Sequence, residues 1–335
     1  MKRRGKLQIT LYLLGFAGAA LFTLLLVRQG AGAVGAALSK AGWGIAAVAL
    51  FYSLPLFLDA LAWWVLFPKK ERPNLRTLFW TRWVGESISN LVPSAMVGGD
   101  VVRARLIGIT GTPMIASVAS VIVDVTLGVP MQIIFTLVGL VLLVDITGRT
   151  NLVGPTLVGT VVGIAAIVGF YIAQRLGMFG FLSRMIARLA KSGEWNSLVQ
   201  SAETLDQTVR SYYSRRRGVM ACCAWTLVSL VVSSGEIWIA LYALGSEASF
   251  LNAFVLQSMA MTVRSAAFAV PGQLGVQEGG YLVIGSILGI PGDTAFAVSL
   301  IARCRDLAVG IPALAVWQIF EGRRFLRKTP SETDR

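Results

Sequence analysis

GESISNLVPSAMVGGDVVRARLIG, residues 85–108, decides the fold. It lies inside an apolar stretch, Leu78–Ile109, that Pro93, Gly98 and Gly99 interrupt near its middle. Proline removes a helical hydrogen bond and glycine lowers helix stability, so one straight span is disfavoured. The stretch is too apolar for a surface loop. It therefore reads as a broken pair of helices that enters the membrane and returns on the same side. A second stretch, Leu251–Ile290, carries the same interruption in FAVPGQLGVQEGGYLV, residues 268–283, at Pro271, Gly272 and Gly275.

The two breaks agree in detail. Each proline precedes an acid by seven residues, Pro93 to Asp100 and Pro271 to Glu278. Seven residues before each proline stands a charge, Glu86 and Arg264, of opposite sign. Further out, Asp59 lies 34 residues before Pro93 and Glu236 lies 35 before Pro271. Downstream, Asp124 follows Pro93 by 31 residues and Asp306 follows Pro271 by 35, each with a glycine four residues later, Gly128 and Gly310. Residues 45–128 and 222–310 thus read as two copies of one unit: helix, broken pair, helix.

The surrounding composition is that of a membrane protein. Hydrophobic residues make up 55%, charged residues 14%, and mean hydropathy is +0.70. Soluble domains carry about 25% charged residues. Full-span candidates are Leu7–Val27, Gly42–Phe67, Met114–Val144, Leu152–Gln174, Val219–Leu244 and Thr294–Phe320; crossing the hydrocarbon as a helix takes about 20 apolar residues. Leu7–Val27 follows a basic start but lacks a clear small-residue cleavage site, so it reads as an uncleaved first helix. The expected fold class is an all-α integral membrane protein, a polytopic bundle with two inverted repeats, each holding a re-entrant pair.

Charge placement sets the orientation. With the N-terminus in the cytoplasm, 21 Lys and Arg fall on the cytoplasmic side and three, Arg28, Lys40 and Arg149, on the other. That asymmetry is the positive-inside pattern. It sends the Asp59 helix inward and the Glu236 helix outward, so the two copies are inverted. Inverted repeats with broken helices are the common plan of alternating-access transporters, with the site between the repeats. The net charge of +13 lies beside apolar runs, which points to lipid contact and topology rather than nucleic acid. The segment 177–217 is the one sizeable soluble piece; Phe181, Met185, Ile186 and Leu189 recur at helical spacing, as in a surface-lying helix or a connector packed on the bundle.

Several chemistries are disfavoured. The chain has no histidine, which removes a Ser-His-Asp triad, a His zinc site and a His proton relay. Cys222, Cys223 and Cys304 have no metal or disulfide spacing. Neither an Asp-x-Asp element nor a glycine-rich nucleotide loop occurs. No enzyme activity, cofactor or metal is expected.

The chemistry that remains is buried charge. Asp59, Glu86, Asp100, Asp124, Glu236, Glu278 and Asp306 share membrane depth with Arg82, Arg103, Arg105, Arg264, Arg303 and Arg305. Each costs at least about 2.5–3.5 kcal/mol in hydrocarbon, so pairing within the bundle is expected. Arginine's planar fork suits phosphate, which makes Arg264, Arg103 and Arg105 candidate lipid-headgroup ligands. Asp100, Glu278 and Glu86 join them, to orient arginines or meet a cationic headgroup. The acids Asp59, Glu236, Asp124 and Asp306 complete the candidate set. Trp63, Trp64, Trp80 and Trp83 read as an interfacial belt.

The motifs around Pro93, Gly98, Gly99 and Asp100, and around Pro271, Gly272, Gly275 and Glu278, resemble the signature regions of the lysylphosphatidylglycerol synthase transmembrane, flippase-like, family. The resemblance covers about residues 7–320, within a membrane domain of 1–322 followed by a basic tail, 323–335. It implies lipid translocation between leaflets of the bacterial inner membrane, with termini cytoplasmic. Implied partners are membrane lipids, whether anionic phospholipid, aminoacylated lipid or hopanoid, and lipid-synthesis enzymes. Bifunctional members carry a soluble aminoacyltransferase domain; this chain ends at Arg335, and no synthase activity is expected. The alternatives are a non-catalytic component of a hopanoid or glycolipid synthesis system, and a lipid glycosyl or acyl transferase.

Overall fold

The computed structural model describes residues 41–91, 97–148, 195–266, 270 and 273–327, with scattered positions in 24–39 and 154–176. Most of the predicted helices Leu7–Val27 and Leu152–Gln174 lies outside the described residues, as do Pro93, Pro271, Gly272, the stretch 177–194 and the residues from 328 on.

Every element among the described residues is a helix. The first span, Trp43–Trp64, consists of α1 (Trp43–Phe51) and α2 (Ser53–Trp64). They meet at Tyr52 because Pro55 has no N–H to offer the Phe51 carbonyl. The axis still runs on, since Tyr52 N donates to Val48 O at 3.0 Å and Leu56 N to Tyr52 O at 3.2 Å. The next full span is α5, Met114–Thr147, 34 residues with Gly148 at φ 64° as a left-handed C-cap. At 1.5 Å per residue it is about 51 Å long, well beyond the hydrocarbon core. The third is α7, Arg216–Ala243.

Between these spans lie the two broken stretches. The first gives α3 (Leu75–Leu91) and α4 (Val97–Ile109); the second gives α8 (Phe250–Ala266) and α9 (Val276–Ile287). With 13 and 12 residues, α4 and α9 reach roughly 20 and 18 Å, too short to cross about 30 Å of hydrocarbon. The broken pairs thus form where the prolines and glycines place them. The last helix is α10, Gly292–Arg327. It has the length to span, but Arg303, Arg305 and Asp306 sit in its middle.

Glycine sets how closely the first pair packs. A methyl on Gly99 would lie 2.1 Å from the Gly85 carbonyl oxygen, so α3 and α4 touch backbone to backbone there. At the start of α9, Gly275 takes φ 75° and Gln273 takes φ 51°, turning the chain sharply into the helix.

The packing of the bundle repeats itself. Exchange α1–α2 with α7, α3 with α8, α4 with α9 and α5 with α10. The pair α3–α4 then becomes α8–α9, α4–α5 becomes α9–α10, α2–α3 becomes α7–α8, and α3–α10 becomes α8–α5; all of these are close neighbours. The exchange maps the α2–α7 contact onto itself, which puts an approximate two-fold between these helices.

Helix α6, Trp195–Ser214, packs on α5 and α7. Its Val209, Tyr212 and Tyr213 are buried against Phe67, and Tyr212 meets the Phe67 ring edge-on at 5.9 Å. Arg215 donates to the Leu66 carbonyl. This part of the 177–217 segment is therefore a connector docked on the bundle. The stretch proposed to lie on the membrane surface, Phe181–Leu189, falls outside the described residues.

Large apolar side chains on the outer faces of the spans stay exposed, among them Val138 and Val141 on α5 and Met220, Trp225 and Trp238 on α7. A soluble protein seldom shows so wide an apolar surface.

Candidate functional site

A cavity of about 570 Å³ lies between the two sets of helices. Helices α2, α3, α4 and α5 contribute to it from one set, and α7, α8 and α10 from the other. Leu56, Val125, Val129, Leu230 and Met261 give it apolar surface, beside charged, hydroxyl and amide side chains.

The first charged network ties the first set together. Arg82 on α3 pairs with Asp124 on α5 at 2.7 Å and with Asp59 on α2 at 3.5 Å. Arg103 on α4 pairs with the same Asp124 at 2.6 Å and with Asp100 at 2.9 Å. Its guanidinium also lies 4.2 Å over the Trp63 ring. Two arginines thus share the Asp124 carboxylate, as buried charges require when each must be both paired and hydrogen-bonded.

The second network is built from the other set. Arg305 on α10 bonds Glu236 on α7 and pairs with its neighbour Asp306 at 2.9 Å. The Tyr52 ring lies 4.3 Å under Arg305, and the Tyr52 hydroxyl donates to Glu86. Asn90 reaches Asp306 at 3.5 Å from α3, which joins the sets. Asp59 and Glu236, matched in the repeat, both line the cavity and both serve an arginine. Asp124 and Asp306, also matched in the repeat, are both arginine partners, but of the two only Asp124 lines the cavity.

Glu278 has a different setting. It is fully buried at the start of α9, accepts the Gly275 N–H at 2.7 Å and pairs with Arg303 at 2.9 Å. That is a helix cap with a counter-ion. It sits outside the set of residues that line the cavity. Gly99 serves the α3–α4 contact and Gly275 the α9 cap, while Gly98 is half-buried at the start of α4.

Three sequence readings change. Arg105 is exposed and does not line the cavity, because two residues along a helix from Arg103 puts it on a different face. Arg103 is committed to two carboxylates rather than open to a headgroup. Trp63 is no part of an interfacial belt: it is fully buried and donates to the Ser120 hydroxyl at 3.2 Å. Of the other tryptophans, Trp83 donates to the Val309 carbonyl near Pro312, Trp64 to the Pro73 carbonyl, and Trp80 meets Phe320 at a tilt with ring centroids 5.0 Å apart.

The structure also adds residues that the sequence reading passed over. Tyr52, Asn90, Gln132, Ser229, Ser233 and Gln257 all line the cavity. Each is a polar group in a mainly apolar helix, and that is the one signal they give. No cluster of three or more Cys, Asp or Glu side chains placed to hold a metal ion occurs among the described residues.

No curated protein and no solved structure matches the chain. The family described as the lysylphosphatidylglycerol synthase TM region matches residues 12–313. With that match covering most of the chain, and with apolar helices of spanning length around a charged cavity, the protein is a multi-pass membrane protein and belongs to the lysylphosphatidylglycerol synthase TM family.

Proposed function

We propose that this protein moves a lipid between the leaflets of the bacterial inner membrane, and that the cavity between the two helix sets receives the headgroup. Membership of a family named for the membrane region of a lipid synthase supports a role with membrane lipids. The cavity carries the rest of the reading. It combines apolar and charged lining residues in helices of spanning length, which matches the two chemistries of a lipid. A transport role accounts for charged groups that a purely structural bundle has no need to keep around an open space.

In this reading the two helix sets are inverted copies, with both termini cytoplasmic. The exchange symmetry of the packing and the distribution of Lys and Arg support it. The chain then acts as a transporter and not as an enzyme.

The test is reconstitution into liposomes with a labelled phospholipid or hopanoid. Accessibility of the label to an outside quencher is followed with time. The reading expects faster exchange than in protein-free vesicles for at least one lipid class. Exchange at the background rate for every cellular lipid class overturns it.

A further inference from the structure

The repeat runs one step beyond the matched acids and glycines. Asp124 begins DVTLGVP, residues 124–130, and Asp306 begins DLAVGIP, residues 306–312. Pro130 and Pro312 thus stand six residues after the matched acids, each inside its helix. A proline there has no N–H for the carbonyl one turn back, and a glycine two residues earlier loosens the same turn. Long helices bend at such places. Helices α5 and α10 therefore carry matched hinges.

The two hinges have different surroundings. In the exchange of helices, Met261, Arg264 and Ser265 of α8 correspond to Trp83, Glu86 and Ser87 of α3. Asp124, Gly128 and those three α8 residues line the cavity of about 570 Å³. Asp306, Gly310 and the three matched α3 residues line a cavity of about 10 Å³, no more than one water needs. A methyl on Gly128 meets nothing within 4 Å, whereas one on Gly310 would lie 2.4 Å from the Leu91 side chain.

Trp83 closes the tight copy. Its indole N–H is donated to the Val309 carbonyl at 3.0 Å, three residues before Pro312. Met261, in the same place on α8, has no side-chain N–H to give. Helix α8 meets α5 beyond the proline, through Gln132 with Ser265 at 2.6 Å and Thr136 with Thr262 at 2.8 Å. Arg264 gives its Nε–H to Gln273 at 2.9 Å, within its own broken stretch.

We propose that the seam between α3 and α10 is a second gate, hinged at Gly310–Pro312 and latched by Trp83 on the Val309 carbonyl, and that it parts as the α5–α8 seam has. This rests on the transport reading; with the copies inverted, the two seams face opposite sides of the membrane. Trp83 acts as a positioning residue, setting how often the seam parts.

Two measurements on the full-length protein, with Cys222, Cys223 and Cys304 replaced, test the gate. A melting curve identifies the folded variants. The first measurement is the rate at which a methanethiosulfonate reagent modifies Ser87→Cys, a position 5% exposed in the closed seam. Trp83→Phe keeps an aromatic ring but loses the N–H. It is expected to speed modification about fivefold, the factor that one neutral hydrogen bond of about 1 kcal/mol gives. Trp64→Phe loses a bond of the same kind, to the Pro73 carbonyl and away from the seam, and is expected to leave the rate unchanged. An unchanged rate in folded Trp83→Phe, or an equal rise in both variants, overturns the latch.

The second measurement is lipid exchange in proteoliposomes with Ser87→Cys and Gly310→Cys combined. A Cβ on Gly310 would lie 3.6 Å from that of Ser87, within the span of a disulfide, and the nearer Leu91 contact is a side-chain tip that can shift. Oxidation is expected to cross-link the pair and bring exchange down to the protein-free rate, and reduction to restore it. Failure to cross-link in folded protein, or full exchange when cross-linked, overturns the gate and leaves the transport reading standing. No exchange by the unaltered protein removes that reading, and the modification rates still decide the latch.

Discussion

Arg82 and Asp124 meet at 2.7 Å, one from α3 and one from α5, and their bond holds a helix of the first broken pair to one of spanning length. Asp124 is also the acceptor for Arg103 at 2.6 Å. Asp59 is a weaker station, at 3.5 Å from Arg82 and with 22% of its side chain exposed. Asp124→Asn is therefore expected to destabilise the protein by about 3–5 kcal/mol, the range for breaking a buried pair. Asp59→Asn is expected to cost clearly less. Unfolding in mixed micelles compares the two; equal losses contradict the hierarchy.

Gly99 has no room for a side chain. Gly99→Ala sets a methyl 2.1 Å from a backbone oxygen of α3, and backbone yields less readily than a side-chain tip. The expected cost is about 1–3 kcal/mol from overpacking. Gly279→Ala, on α9 with nothing within 4 Å, is expected to be neutral or slightly stabilising. Melting temperatures of the two variants in the same detergent check this.

The breaks were legible in the sequence because proline and glycine act locally, so α3 and α4, and α8 and α9, end where the spacing indicated. The matched acids were legible for a different reason, since any acid in an apolar helix is conspicuous. Partner choice was not. Glu236 bonds Arg305, 69 residues away, and only the packing of α7 beside α10 brings them together. Arg103 looked open to a headgroup because nothing in the sequence near it reveals Asp124 on the next helix. Arg105 was avoidable: helical geometry alone separates it from Arg103. Tyr52 and Gln257 line the cavity without any charge to mark them.

Trp63 is a core residue under a charge rather than a belt residue. Trp63→Phe keeps most of the ring but loses the bond to Ser120 and the better face for Arg103 at 4.2 Å. Trp80→Phe, at a half-buried site beside Phe320, loses less. The expected order of stability is wild type, then Trp80→Phe, then Trp63→Phe. A larger loss at Trp80→Phe, measured by thermal unfolding, contradicts this order.

The inverted arrangement makes a topological forecast. Cysteines at Thr112 and Ser214 are expected to react with an impermeant thiol reagent from the cytoplasmic side, and one at Glu247 from the opposite side. The three native cysteines, Cys222, Cys223 and Cys304, are replaced by serine or alanine first. Reaction of Thr112→Cys and Glu247→Cys from the same side contradicts the inversion.

The account turns on whether a headgroup passes through the cavity. Gly128 lines it, and a Cβ added there meets nothing within 4 Å, so Gly128→Trp starts its side chain in open space and is the variant chosen to fill the cavity. The direct measurement is lipid exchange in proteoliposomes with the unaltered protein and with Gly128→Trp at equal amounts of folded protein. The account expects exchange above the protein-free rate for the unaltered chain and a fall to near that rate for the filled cavity. Full exchange with the cavity filled contradicts it.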